Sequence, residues 1–211
     1  VYGNIKAEVI DVQKVGRAIV HKVKANSAPK ENTCVKGFLD WDKRYALMKA
    51  HTATHLVNGA ARRVLGEHIW QHGAQKALET SRLDISHYRR LTPIEIHKIE
   101  FLANKAVLAD MPVETLWMLR NEAESQYGFR LYQGGAVPGK DIRVVKTGNW
   151  DHEACGGTHL KRTGEIGFLK IIYTERVQDG VERLGYAVGL QAVKKVQEQE
   201  SLPWKISETL N

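Results

Sequence analysis

The 211 residues carry 31 Lys and Arg against 24 Asp and Glu, a net charge of +7, and 43% are hydrophobic, which supports a buried core in one or two domains and excludes wholesale disorder. Charges interrupt every apolar run short of the roughly 18 residues that a membrane-spanning helix needs, and two cysteines, Cys34 and Cys155, are too few for a secreted disulfide framework. Lys6, Glu8, Asp11, Lys14 and Arg17 stand where a signal peptide has its apolar stretch, so a reducing, cytoplasmic setting is expected, and Val1 in place of Met suggests an excised fragment. The positive excess favours a polyanionic partner.

Alternation of period two in Ile5, Ala7 and Val9, then in Ala18, Val20 and Val23, with Gly16 between, predicts two half-buried strands. Residues 26–32 read as a loop and Val35–Leu39 as a further strand, so residues 1–42 form part of a small or truncated β module. From Lys43 the pattern turns helical: Leu47, His51, Thr54, His55, Asn58, Ala61 and Leu65 recur at spacings of three and four until Gly66, a C-cap. Thr92-Pro93-Ile94-Glu95 is a capping box with Pro in the first turn and opens a second helix running to about Asp110. A third helix spans Arg120 to Tyr127 and stops at Gly128. Strand-like runs occur at Val113–Leu119, Phe129–Tyr132, Ile142–Lys146, Phe168–Tyr173 and Val181–Ala187. Without a regular βαβ repeat, this order predicts an α+β domain over residues 43–189, its largely antiparallel sheet packed by helices. Residues 190–211 read as a charged helix start followed by Pro203-Trp204, a linker.

Two pairs of side chains carry metal chemistry. His51 and His55 lie four apart on the predicted helix, one above the other on the same face. Cys155 and His159 are also four apart, and three imidazoles with one thiolate make a tetrahedral N/S set suited to zinc. The alternative is two satisfied core histidines and a small buried thiol. About a hundred residues separate the pairs, so a folded domain rather than a local knuckle must join them. In the helical zinc proteases Glu follows the first His of the motif; Thr52 stands there, which argues against that class. Gly156-Gly157 permits a tight turn whose N–H groups can face a bound oxygen.

The segments His51-Thr52-Ala53-Thr54-His55-Leu56, His68-Ile69-Trp70-Gln71-His72-Gly73, Leu83-Asp84-Ile85-Ser86-His87, Cys155-Gly156-Gly157-Thr158-His159 and Thr163-Gly164-Glu165-Ile166-Gly167 follow one another as in alanyl-tRNA synthetase editing domains and their free-standing AlaX-type relatives, which residues 43–189 therefore resemble. Tyr132-Gln133-Gly134-Gly135-Ala136-Val137-Pro138-Gly139 resembles the archaeal type. Residues 1–42 then resemble the last strands of the β-barrel that precedes the editing domain, and 190–211 the link to an absent C-terminal domain. Ala74 and Ile85 depart from the residues many members have there, Ser and Phe.

The resemblance implies hydrolysis of seryl and glycyl esters wrongly attached to tRNA(Ala), with the tRNA acceptor end as partner and neither DNA nor a membrane involved. It assigns His51, His55, Cys155 and His159 to zinc, Gln71 and Thr54 to catalysis, and Gln71, Thr52, Gly156 and Gly157 to substrate binding. Ordinary helix packing is the competing role for Thr52 and Thr54. Basic doublets, Lys43-Arg44, Arg62-Arg63, Arg89-Arg90, Lys161-Arg162 and Lys194-Lys195, are candidate phosphate contacts or simply solvated faces. Three readings remain open: the ester hydrolase within a synthetase fragment or free-standing, a non-catalytic tRNA-binding module held by zinc, and a different metal-dependent hydrolase. The oligomeric state is left open.

Overall fold

A computed structural model describes all residues except Tyr2, Asn4, Arg17, Ala136 and Asn211, and the side chains of 202–210. Ala136 of the Tyr132–Gly139 segment and the side chains of Pro203 and Trp204 thus lie outside the described residues. The chain divides into two compact units, Val1–Trp41 and Asp42–Asn211.

In the first unit β1 (Glu8–Val15) and β2 (Ala18–Lys24) pair antiparallel, Val15 opposite Ala18, around Gly16 at φ +61°. The valines of this ribbon are exposed. The expected strand at Val35–Leu39 does not form: no apolar cover holds it, Phe38 and Leu39 stay exposed, and its backbone bonds are an exchange between Val1 and Lys36. Among the described residues the unit is an open hairpin and no barrel closes.

The second unit is α+β with every strand pair antiparallel. Its elements run α1 (Trp41–Leu65), β3 (Gln71–Gln75), β4 (Ser81–Ser86), α2 (Pro93–Leu108), β5 (Val113–Leu119), α3 (Arg120–Tyr127), β6 (Asp141–Thr147), β7 (Asp151–Ala154), β8 (Leu169–Gln178), β9 (Val181–Val188) and α4 (Leu190–Leu210). One sheet has the order β3-β4-β9-β8 and the other β5-β6-β7. Leu56, Val57, Ala60 and Ala61 of α1 and Ile99 and Ala103 of α2 share a core with Leu83, Ile85, Leu169, Leu184 and Tyr186 of the larger sheet. A second core gathers Ala123, Leu131, Ile142, Val144 and Ala154. Every residue of α1 from Thr52 to Ala61 is buried, so the helix is enclosed rather than laid on a surface. Small residues make that possible: a Cβ on Gly59 would lie 2.5 Å from the Trp150 indole nitrogen.

Two elements differ from the sequence pattern. Phe129–Leu131 is a single 3-10 turn rather than a strand, since Gly128 before it and Gly134 and Gly135 after it all take positive φ. α2 ends at Leu108, and Asp110 takes φ +46°. α4 runs from Leu190 to Leu210, so the helix start expected there continues through position 203. Strands β3, β4 and β7 were not signalled, because their polar residues mask the alternation that burial reveals in β4, where Ser81, Leu83 and Ile85 face inward.

Candidate metal centre

α1 sets His51 and His55 one turn apart, and the chain leaving β7 turns through Cys155-Gly156-Gly157-Thr158-His159 to meet them. The four donor atoms of His51, His55, Cys155 and His159 lie within 4.8 Å of one another. The Cys155 Sγ is 3.3 Å from His51 Nε2 and 3.4 Å from His159 Nε2. His55 turns its Nδ1 away, toward Glu153 at 3.3 Å and Asp151 at 3.5 Å, which leaves Nε2 for the cluster. Although burial alone would raise it, hydrogen bonds from His159 and His51 bring the Cys155 thiol down to about 2, the thiolate a metal requires. Burial lowers His51 and takes His159 to about 4, so both present neutral rings. One thiolate and three imidazoles fit a divalent metal of the zinc kind.

The surroundings fix each ligand. A Cβ on Gly157 would fall 2.0 Å from His51 Cε1, so the absence of a side chain there leaves room for the ring. Thr52 Oγ1 lies 3.2 Å from His159 Nδ1 and accepts from the Leu160 N–H at 3.1 Å. Arg143 on β6 donates to the carbonyls of Cys155 at 2.6 Å and Gly157 at 2.8 Å, clamping the turn. Asp151 and Glu153, buried with His55, form a second cluster of possible ligands sharing that imidazole. Burial lifts Glu153 to about 8, whereas for Asp151 burial is outweighed by His55, Glu153 and Arg62 together and the carboxyl is lowered. His55 is raised well above its usual value: burial opposes the charged ring, but the Glu153 and Asp151 carboxyls and the Cys155 sulfur together outweigh it. The two carboxyls, 3.3 and 3.5 Å from His55 Nδ1, therefore set the orientation of this candidate ligand ring.

A polar chain leads outward from that support. Asn58 Nδ2 donates to Glu153 at 2.9 Å and to Gln133 Oε1 at 3.1 Å, and the same oxygen accepts the Gln71 backbone N–H at 3.0 Å. The Gln71 side-chain nitrogen stands 3.1 Å from where a Cβ on Gly134 would be. Gln71 is thus linked to the His/Cys cluster through three side chains. Thr54 is not at the cluster: its buried hydroxyl bonds the Ala50 carbonyl and lies 2.6 Å from the Tyr186 hydroxyl. Thr52 is fully buried against His159, and Gly156 faces open space. Arg143, Asn58 and Gln133 receive no site role from the sequence, although Asn58 shares the helical pattern of His51 and His55 and Gln133 lies in the Gly-rich segment.

Residues 142–184 match the family described as the threonyl and alanyl tRNA synthetase second additional domain. The matched segment holds Arg143, Asp151, Glu153, Cys155 and His159, so one half of the cluster lies within that domain. The chain is 51% identical over 205 residues, 97% of its length, to the alanine–tRNA ligase of Pyrococcus abyssi. It is 53% identical over 93% of its length to that of Thermococcus kodakarensis and 54% identical over 94% to that of Pyrobaculum arsenaticum. It is homologous to archaeal alanine–tRNA ligase in a stretch that fits the editing-domain region. The chain spans about a fifth of the length of these relatives, 22–23%. Among the described residues no helix is long and apolar enough to cross a membrane.

Proposed function

We propose that residues 43–189 form a zinc-dependent aminoacyl-tRNA ester hydrolase that removes serine and glycine from tRNA(Ala) in the cytoplasm. The observation that carries the reading is the convergence of His51, His55, Cys155 and His159 from segments far apart in the chain, in a homologue of ligases for alanine. A synthetic pocket for alanine cannot exclude glycine, which is smaller, and rejects serine weakly, so a second hydrolytic site is needed. That site must recognise a hydroxyl that alanine lacks. The Gln71 amide can both donate to and accept from it, and its backbone is tied to the cluster through Gln133. Zinc held by the four donors would polarise the ester and anchor the substrate. Around it, Thr52, Asp151 and Glu153 hold the ligand rings, while Arg143 keeps the Cys155–His159 turn in place for the acceptor end to dock.

A second reading, a non-catalytic tRNA-binding module, is favoured by one feature: four protein donors can close a zinc site completely, as structural sites do. Single-turnover deacylation of seryl-, glycyl- and alanyl-tRNA(Ala), with metal-stripped protein as control, separates the two. The hydrolase reading expects metal-dependent loss of serine and glycine with alanine retained; equal rates with and without protein overturn it. Gln71→Ala is expected to slow seryl-tRNA deacylation at matched zinc content, and a wild-type rate would remove Gln71 from the site.

A further inference from the structure

The doublet Arg62-Arg63 at the end of α1 meets Arg130 in a cleft of about 310 Å³. Tyr127, Asn149, Trp150 and His152 complete its walls, and among the described residues Glu67 and Asp151 are the only carboxylates lining it. The three guanidiniums differ in what holds them. Arg62 is nearly buried and lies 3.7 Å from Asp151, the carboxylate that supports His55. Arg63 stacks on the Trp150 ring at 3.9 Å and donates to the carbonyls of Gly59 at 2.9 Å and Trp150 at 2.6 Å. Those bonds fix the fork without neutralising it, and among the described residues no carboxylate lies in ion-pair contact with Arg63. Arg130 pairs with Glu67, whose side chain is 74% exposed. Such a surface pair is weak and readily exchanged for a stronger anion.

We infer that this cleft is a phosphate subsite for the tRNA backbone, with Arg63 as its preset contact and Arg130 as the one released from Glu67 on binding. A planar fork already immobilised on an aromatic ring loses little freedom when it takes a phosphate in bidentate fashion. Asn149 and Tyr127 offer neutral donors beside it. A phosphodiester suits the cleft better than a carboxylate, since it presents several acceptor oxygens to guanidiniums arriving from two elements. The cleft adjoins Asp151, so a backbone seated there is held against the element that carries the metal turn. The inference rests on the proposed tRNA substrate but not on catalysis.

The test is equilibrium binding of uncharged tRNA(Ala) to the whole chain between about 50 and 200 mM salt. Arg63→Gln and Arg130→Gln are each expected to weaken binding several-fold and to flatten the slope of log K against log salt by about one. Lys105→Gln, an equal loss of charge on the exposed face of α2, is expected to leave the slope unchanged. Arg63→Lys is expected to fall between Arg63→Gln and wild type, because it keeps the charge and loses the fork. Unchanged slopes in both Gln variants overturn the subsite, as does an equal effect of Lys105→Gln. Should Arg63→Gln lose metal or fold poorly, Arg130→Gln decides alone. Tight, Arg63-dependent binding without deacylation would refute the hydrolase reading and leave this site standing; deacylation with unaltered slopes would do the reverse.

Discussion

Gly156 and Gly157 are adjacent, and neither takes a positive φ, so alanine is conformationally acceptable at both. Their surroundings differ completely. An added Cβ meets nothing within 4 Å at Gly156, but at Gly157 it falls 2.0 Å from His51 Cε1 and 2.4 Å from His51 Nδ1. Carbon atoms in ordinary contact sit about 3.5–4.0 Å apart, so Gly157→Ala must separate ring and turn by roughly 1.5 Å. His51 cannot yield as a flexible side chain would, because its other nitrogen faces the Cys155 thiolate. The turn cannot yield cheaply either, because Arg143 holds the Gly157 carbonyl. Overpacking of this kind costs about 1–3 kcal/mol, which corresponds to a metal affinity lowered by about 5- to 150-fold. Gly156→Ala is expected to bind metal as wild type does. Titration of the apo proteins with zinc against a chelator of known affinity, with folding followed by circular dichroism, measures both. Equal affinities for wild type and Gly157→Ala, or equal damage from the two substitutions, would refute the cradle.

Cys155→Ala is expected to abolish binding of the one zinc per chain, and chelation of the wild type to lower its melting temperature; zinc content unchanged by the substitution would remove Cys155 from the ligand set. Thr52→Val keeps the shape of the side chain but strips His159 Nδ1 and the Leu160 N–H of their partner, so metal affinity should fall about 10- to 100-fold, read by the same competition titration. Glu95 caps α2 and bonds Arg89, chiefly through which its carboxyl falls from 4.5 to about 2. A lowered carboxyl stabilises the fold fully above its ordinary value and loses that effect as pH falls through the folded one. Glu95→Gln should therefore destabilise at pH 7 by less than about 1 kcal/mol, with the difference from wild type closing between pH 4.5 and 2 in urea melts.

What the sequence revealed was local. The spacing of α1, the Thr92–Glu95 box of α2 and the whole of α3 appear in the structure because each is set by residues within a turn or two of one another. The two pairs of candidate metal ligands were legible for the same reason, being one turn apart on a helix and within one turn of chain. The supports were not, because they are set by β6 and β7 coming against an enclosed helix. Asp151 and Glu153 flank Cys155 in the sequence, which suits them to support its loop, but that they hold His55 and meet Asn58 and Arg62 follows only once α1 lies over them. Thr54 shows the converse. Helical spacing put it near the histidine face, but a helix buried on every side has no single functional face, and Tyr186 of the larger sheet takes its hydroxyl. The same enclosure would couple a metal bound at the cluster to the fold. His51 and His55 belong to α1, Cys155 and His159 to the turn after β7, and the protein contacts joining those segments include Asn58 to Glu153 and Thr52 to Leu160. A metal held by all four closes the same junction, so its binding energy adds to the stability of that junction. Its loss should loosen α1 from β7 before it disturbs the α2 side of the core, where Ile99 and Ala103 pack without any ligand.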